Sequence, residues 1–281
     1  MREVHNEHIG EANMNDLREL ARKVRELAIE AIYCARSGHP GGSLSAADIL
    51  SVLYFEELRV DPTQPLWIDR DRFILSKGHA CPAQYAVLAL KGFFPAEDVR
   101  GLRKIDHYLE GHPDVKIPGV DAPSGSLGMG LSQGLGMALG ARYKKKSFRT
   151  YVLLGDGDMQ EGNTWEAFMA ASHHKVASLT AILDYNGLQG EDLVKKQMDY
   201  TPIAEKLTAF GWHVQEVDGH NIDQLRAALA AAQSECDRPS FILARTIKGK
   251  GVEFMENQQI WHGSSTLTDE QYHQSLKDLE A

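Results

Sequence analysis

Residues 153–163 read LLGDGDMQEGN, a glycine-bearing turn at the end of an apolar run that carries Asp156, Asp158 and Glu161 and no lysine. A glycine-rich turn after a strand ordinarily cradles phosphate with backbone N–H groups. Acids in that place point instead to a divalent cation. Asn186, in LDYNGLQ, follows Asp156 by 30 positions. One strand–helix–strand unit fits that gap and brings both side chains to the same edge of a sheet. Carboxylate, carboxamide oxygen and backbone carbonyl are hard ligands suited to Mg2+ or Ca2+, and the cation's remaining positions would take diphosphate oxygens. For a lone GDG, an Asx-type turn capping the next helix accounts for the residues equally well.

These residues need elements to hold them. Leu17, Leu20, Ala21, Val24, Leu27, Ala28, Ala31 and Ile32 recur at helical spacing, which predicts a helix capped by Asn15 and ended by SGHPGG at 37–42. Ser45 and Asp48 have the spacing of a capping box and predict a second helix from there through Phe55. The apolar runs RFILS (72–76), TYVLLG (150–155), LTAILD (179–184), WHVQEV (212–217) and SFILAR (240–245) read as buried strands. Helical patterns separate them, at 82–91, 131–144, 164–175, 202–210 and 222–233, with Pro82 and Pro202 suited to first turns. The alternation predicts an α/β fold, a three-layer, mainly parallel sheet with helices on both faces. No repeat or linker divides the chain, so one domain is expected over 1–281, with peripheral ends at about 1–15 and 264–281.

Composition narrows the function. The chain of 281 residues has a formal charge of −9 and a pI near 5.7, which argues against a non-specific binder of nucleic acid or of an anionic membrane. Lys144–Lys146 and Lys195–Lys196 are too short to reverse that balance and read as solvated helix ends or loops. Cys34, Cys81 and Cys236 lie far apart without a CxxC, so no disulfide framework or structural zinc site is indicated. The first sixteen residues lack an apolar signal region, and no run of ~18 apolar residues occurs. A reducing cytoplasm fits these features.

The wording of several segments goes further. GDGDMQEGNTWEA with Asn186 downstream resembles the thiamine diphosphate signature, and in its details the transketolase family. SGHPGGSLSAADIL (37–50), SKGHACPAQYAVLALKG (76–92), GHPD (111–114), PSGSLGMGLSQGLGMALG (123–140) and TIKGKGV with WHG (246–263) resemble the same family in the same order. The resemblance covers nearly the whole chain but only the first half of an ordinary transketolase. It implies a diphosphate-binding domain acting as the amino-terminal subunit of a two-chain enzyme. A partner subunit would then bind the aminopyrimidine and supply the glutamate that activates it, the two chains pairing as a heterotetramer.

Carried over residue by residue, the resemblance implies Asp156 and Asn186 as side-chain metal ligands and Leu188 as a carbonyl ligand, for Mg2+ or Ca2+. Gly157 would lie against the diphosphate; Gly125 would approach the cofactor by its backbone and Leu127 by apolar contact. His79 and His262 would serve the thiamine diphosphate, with His262 also near the reaction, and His39 and His112 would meet hydroxyls of the donor sugar. Imidazole suits such work because it donates, accepts or shuttles a proton near neutral pH. Glu161 and Glu166 match acids near the subunit interface, in a relay toward the partner's glutamate. The activity implied is transfer of a two-carbon ketol unit from a ketose, phosphorylated in the ordinary case, to an aldose.

Each feature has a plainer rival. A single Gly–His pair is ordinarily a turn histidine, but Gly38–His39, Gly78–His79 and Gly111–His112 all fall inside matching segments. Zinc would need clustered ligands, yet only His79 and Cys81 are near neighbours and no HExxH occurs. GMGLSQG has glycines at 128, 130 and 134, the wrong spacing for a dinucleotide fingerprint, and follows no strand. Gly130 with Gly134, and Gly136 with Gly140, share helical faces and suggest close packing at a subunit interface. GKG at 249–251 lacks Walker spacing and reads as a flexible turn. Other functions in view are a ketol transferase for a branched or sulfonated sugar, a 1-deoxyxylulose-phosphate synthase relative, disfavoured by SGHPGG and GHPD, and a non-catalytic thiamine diphosphate-binding module.

Overall fold

The computed structural model describes residues 16–190, 192–263 and 266–280. Its centre is a parallel sheet of β1 (Arg72–Leu75), β2 (Thr150–Gly155), β3 (Leu179–Tyr185), β6 (His213–Asp218) and β7 (Ser240–Arg245), in the order β1-β2-β3-β7-β6. Between β3 and β6 the chain makes a hairpin of two short strands, β4 (Leu188–Gln189) and β5 (Asp192–Leu193). The five sheet strands match the five apolar runs; the hairpin, two residues a side, has no sequence period to announce it.

Helices α1 (Leu17–Ala35), α2 (Pro40–Val52), α3 (Cys81–Lys91) and α8 (Ile222–Ser234) cover one face. Helices α4 (Met129–Tyr143), α5 (Gly162–His173) and α7 (Ile203–Ala209) cover the other, with the short α6 (Val194–Gln197) following β5. Strand side chains divide accordingly: Tyr151 and Leu153 join the first core, Val152 and Leu154 the second. The alternation follows from the two-residue period of a strand buried on both faces. Because β6 lies outside β7, the return through α8 runs against the earlier crossovers. A right-handed connection then places α8 on the opposite face from α5 and α7.

Three local expectations need correction. The cap of α1 is Asp16, whose carboxylate accepts from Arg18 N at 3.0 Å; Asn15 lies outside the described residues. Helix α2 starts at Pro40, not at Ser45. Pro40 supplies the preset φ of a first turn, all thirteen residues of α2 are buried, and Ser45 Oγ is drawn to Asp184 at 2.6 Å instead of capping. Tertiary packing therefore outweighs the two glycines in the first turn. Pro202 stands one residue ahead of α7 rather than within its first turn.

The glycine face of α4 is also reassigned. A Cβ on Gly130 would lie 2.4 Å from Ser76 Cβ, and one on Gly134 would lie 2.4 Å from Val152. That face presses on the protein's own sheet, so close packing is right and the interface reading is wrong for this pair. Gly136 and Gly140 meet nothing within 4 Å. At the far end of the chain, α9 (Asp269–Glu280) lies on α1, where Tyr272 stacks on Tyr33 at 4.1 Å. Among the described residues no helix is long and apolar enough to cross a membrane.

Candidate active site

Four strands deliver a polar residue to one crevice at their carboxyl ends: Lys77 after β1, Asp156 after β2, Asn186 after β3 and Lys248 after β7. The chain leaves β3 for the layer of α7, while residues after β7 fold against α2, with Gly249 N–H bonded to Gly41 O at 3.0 Å. This divergence opens the cleft, as expected of a doubly wound sheet. The cavity is about 290 Å³ and is also lined by His39, His79, His262, Gly125, Leu127, Gly157, Leu188 and Gln189.

The GDGD turn is pinned by its second acid. Asp158 accepts from Gly155 N and Gly128 N at 2.8 Å each and from Ser76 Oγ at 2.6 Å. That carboxylate ties the turn to the end of β1 and to the loop carrying Gly125 and Leu127, and no part of it is exposed. The first acid faces the cleft. Asp156 Oδ2 accepts from Asn186 N at 3.2 Å and Gly187 N at 3.1 Å, and Oδ1 accepts from the Tyr200 hydroxyl. Burial pushes its carboxyl up to about 6 despite those donors. A Cβ on Gly157 would lie 2.8 Å from Leu127 Cδ1, so only glycine lets the two segments approach this closely.

The two lysines differ. Lys77, 2 % exposed, is paired with Asp184 and also donates to Gly42 O at 2.7 Å. Asp184 is in turn held by Ser45 and Thr246, and although burial opposes its charge, Lys77 keeps its carboxyl below the usual range. Lys248 has no carboxylate within ion-pair distance among the described residues. Its ammonium donates to Leu188 O at 3.0 Å and to His262 Nδ1 at 2.7 Å. Burial, reinforced by Lys77, brings its pKa down to about 8.

Three imidazoles complete the wall, with ring centroids 5.1 Å apart for His39–His79, 5.5 Å for His79–His262 and 6.0 Å for His39–His262. Burial holds His39 and His262 down to about 4 and His79 well below its ordinary value. All three are neutral at physiological pH. Since Lys248 must donate to His262 Nδ1, that ring carries its proton on Nε2.

The expected residues divide into those brought together and those left outside. His39, His79, His262, Gly125, Leu127, Asp156, Gly157, Asn186 and Leu188 line the cleft. His112 is exposed and does not line it, but its ring lies 3.2 Å from where a Gly125 Cβ would stand. Glu161 and Glu166 are exposed and outside it. The sequence reading missed Lys77, Lys248, Tyr200, Asp184 and Gln189. The strand-end rule that found Asp156 and Asn186 reaches Lys77 and Lys248 when applied to β1 and β7.

The chemistry of the cleft fits an anionic group carried with a cation. Lys248 lacks a carboxylate and Asp156 lacks a cation among the described residues, yet they share one wall. His39 Nδ1 and Gln189 Oε1 are buried without a hydrogen-bond partner, which native interiors rarely tolerate. Asp156, the Asn186 carboxamide and the Leu188 carbonyl are an all-oxygen donor set, suited to a hard divalent ion rather than zinc. No cluster of three or more His, Cys, Asp or Glu that could hold a metal occurs among the described residues.

Comparison with known proteins agrees with this layout. The family described as "Transketolase, thiamine diphosphate binding domain" matches residues 17–279. The 6-deoxy-6-sulfo-D-fructose transketolase subunit SqwG of Clostridium sp. (strain MSTE9) is 41% identical over 94% of this chain and 96% of its own length. One of the subunits of the apulose-4-phosphate transketolase of Phocaeicola vulgatus is 38% identical over 92% of each chain. Human transketolase is 42% identical, but the match spans 88% of this chain and 39% of that protein. The crystal structure of Campylobacter jejuni transketolase superposes with a TM-score of 0.88 at 32% identity, over 94% of this chain and 42% of that one. The chain thus spans less than half the length of that solved transketolase. It belongs to the transketolase family, as the thiamine diphosphate binding domain.

Proposed function

We propose that the chain is the amino-terminal subunit of a two-chain transketolase, moving a two-carbon ketol unit from a ketose to an aldose. The observation that carries this reading is the cleft, where Lys248 and Asp156, neither in a contact ion pair among the described residues, and three neutral histidines meet at the ends of four strands. The two-chain arrangement is supported by relatives named as subunits and matched over nearly their full length.

Thiamine diphosphate supplies the nucleophilic carbon that takes up the ketol unit. The chain's own residues bind, orient and move protons. Asp156, Asn186 and the Leu188 carbonyl would hold Mg2+ (or Ca2+), and Lys248 raises the positive potential where diphosphate charge must be buried, while Lys77, neutralised by Asp184, lines the same wall. Gly157 and Gly125 allow the backbone to approach, and Leu127 gives apolar contact. His79 and His262 serve the cofactor side. His39 and His112 meet the donor's hydroxyls, a neutral imidazole being able to accept as well as donate. Glu161 and Glu166 face outward toward a partner subunit that binds the aminopyrimidine and activates it, within a heterotetramer.

The test is reconstitution. Titration calorimetry with thiamine diphosphate and Mg2+ is expected to show binding, and ketol transfer is expected only when a pyrimidine-binding subunit is present. Turnover by this chain alone would overturn the division of labour. Binding without turnover in the reconstituted pair would leave a non-catalytic module. A second reading, for a specialised sugar, is favoured by the names of the two relatives matched over nearly their whole length, one for 6-deoxy-6-sulfo-D-fructose and one for apulose 4-phosphate. Comparing kcat/KM for 6-deoxy-6-sulfofructose, apulose 4-phosphate and fructose 6-phosphate distinguishes it from an ordinary transketolase.

A further inference from the structure

Behind the cleft, α1, α2 and the turn after β6 share a buried polar relay that none of the expected site residues enters. Arg25 on α1 donates to Asp48 on α2 and, through Nε, to Leu44 O at 3.2 Å. The Asp48 carboxylate is 2.7 Å from His220 Nδ1, and the Arg25, Asp48 and His220 side chains are 9 %, 9 % and 13 % exposed. On its other side, His220 Nε2 accepts from the backbone N–H of Ile247 at 2.8 Å. An amide can only donate, so Nε2 is bare and Nδ1 carries the proton that goes to Asp48. The carboxylate thereby fixes both the tautomer and the ring plane.

The residue after Ile247 is Lys248. The residue after that, Gly249, donates its N–H to Gly41 O at 3.0 Å. Helix α2 therefore grips the loop on both sides of the lysine: directly through Gly41, and through Asp48 and His220 two turns further on. A Cβ on Gly41 would stand 2.9 Å from Lys248 Cγ, so the lysine stem lies flat against the start of the same helix. Thr246 completes the grip, its N–H bonded to Tyr185 O at 3.1 Å.

We infer that His220 is a positioning residue for Lys248, orienting its ammonium into the cleft by holding the Ile247 amide against α2 through Asp48. It touches no cofactor or substrate itself. The inference rests on the proposed role of Lys248 beside the diphosphate.

Two substitutions separate this from a general structural role. In His220→Asn the amide reaches only as far as Nδ1 does, so it can meet Asp48 but leaves the Ile247 N–H unserved. In His220→Gln the carboxamide reaches the place of Nε2 and restores the acceptor. In the reconstituted enzyme, the Asn variant is expected to weaken thiamine diphosphate binding in calorimetry by about tenfold, because the loop released from α2 must be re-ordered to bring Lys248 to the diphosphate. The Gln variant is expected to stay within about threefold of wild type. Exchange of the Ile247 amide, followed by NMR without cofactor, should be faster in Asn and near wild type in Gln. In a Lys248→Met background neither His220 change should alter affinity further.

Wild-type affinity in His220→Asn, or an undiminished loss in the Lys248→Met background, overturns the inference. If the Asn variant does not fold, His220→Gln decides alone, and a tenfold loss there refutes the acceptor argument. Failure of the wild type to bind thiamine diphosphate sinks the functional reading and this inference with it. Wild-type binding with indifferent His220 variants sinks only the inference.

Discussion

At the amino end of β1, Asp71 accepts from Arg59 N at 2.9 Å, from the Arg59 guanidinium at 3.0 Å and from Arg149 N at 2.8 Å. Nearby, Asp121 pairs with Arg70 and accepts from Phe73 N at 2.9 Å. At the carboxyl end of the sheet, Lys248 and Asp156 share a wall, neither in a contact ion pair among the described residues, and three imidazoles are held neutral. One edge closes its charges within the chain; the other leaves them open. Open charges cost stability, so an edge that keeps them is built to be completed by something it binds.

The most direct test makes the same change at both edges. Asp156→Asn keeps the shape but removes the charge, and its affinity for thiamine diphosphate with Mg2+ should fall roughly a hundredfold, about 2.7 kcal/mol. Its stability without ligand should hold or rise. The sign follows from the raised pKa: a carboxyl moved from 3.8 to about 6 favours the folded state at low pH and loses that contribution as pH climbs through this window. Removing the charge at pH 7 therefore removes a cost. Asp71→Asn should do the reverse, losing about 2–3 kcal/mol of stability in denaturant melts while the folded protein keeps its cofactor affinity. Equal stability loss at both positions would erase the distinction between the edges.

A smaller effect divides the open edge itself. His79 packs in the histidine cluster against the lysine wall, whereas His112 is exposed beside Gly125. His79→Ala should weaken the cofactor about tenfold. His112→Ala should keep cofactor affinity and raise the donor KM by a similar factor. Steady-state kinetics over both ligands reads the split, and matching phenotypes would refute the division of roles.

The sequence made the open edge visible only where a residue sits at the end of its own apolar run. Asp156 and Asn186 do, and the runs around them are strands because they are short, apolar and bounded by Gly, Asp or Asn. Lys77 carries no local signal that sets it apart from a surface lysine. Its partner, Asp184, is 107 positions away, and no local pattern encodes a pair that only strand order brings together. The start of α2 was hidden for a similar reason: the Ser45–Asp48 spacing mimics a cap, but Ser45 belongs to Asp184 and Asp48 to Arg25 and His220. Local rules failed where a side chain's bonding partner comes from another strand or helix. The interface reading of Gly130 and Gly134 failed differently, because helical spacing gives a face but not what that face meets.

The histidines give a pH-dependent test. His39 and His262, depressed from 6.5 to about 4 by burial and neighbouring positive charge, take up protons in the unfolded chain before they do so in the folded one. Their contribution to stability is therefore present above about 6.5 and is lost as pH falls toward 4. NMR should show both rings neutral and unchanging between pH 5.5 and 8 in the cofactor-free protein. Titration of either near 6.5 would mean that the open edge is wetter than its packing implies.

The weakest effect comes from α4, where the two faces of one helix repeat the contrast. A Cβ at position 134 would strike Val152 at 2.4 Å, while one at 136 meets open space. Gly134→Ala should destabilise by about 1–3 kcal/mol through overpacking. Gly136→Ala should stabilise the isolated chain by about 0.5–1 kcal/mol, because alanine is the better helix former and nothing opposes its methyl. If the open face is also where a second subunit docks closely, the same methyl should impair assembly, and the two readouts move in opposite directions. Thermal melts of the chain alone, set beside sedimentation of the mixture with a pyrimidine-binding partner, measure both. A gain in stability with unaltered assembly would place the partner contact elsewhere than the Gly136–Gly140 face.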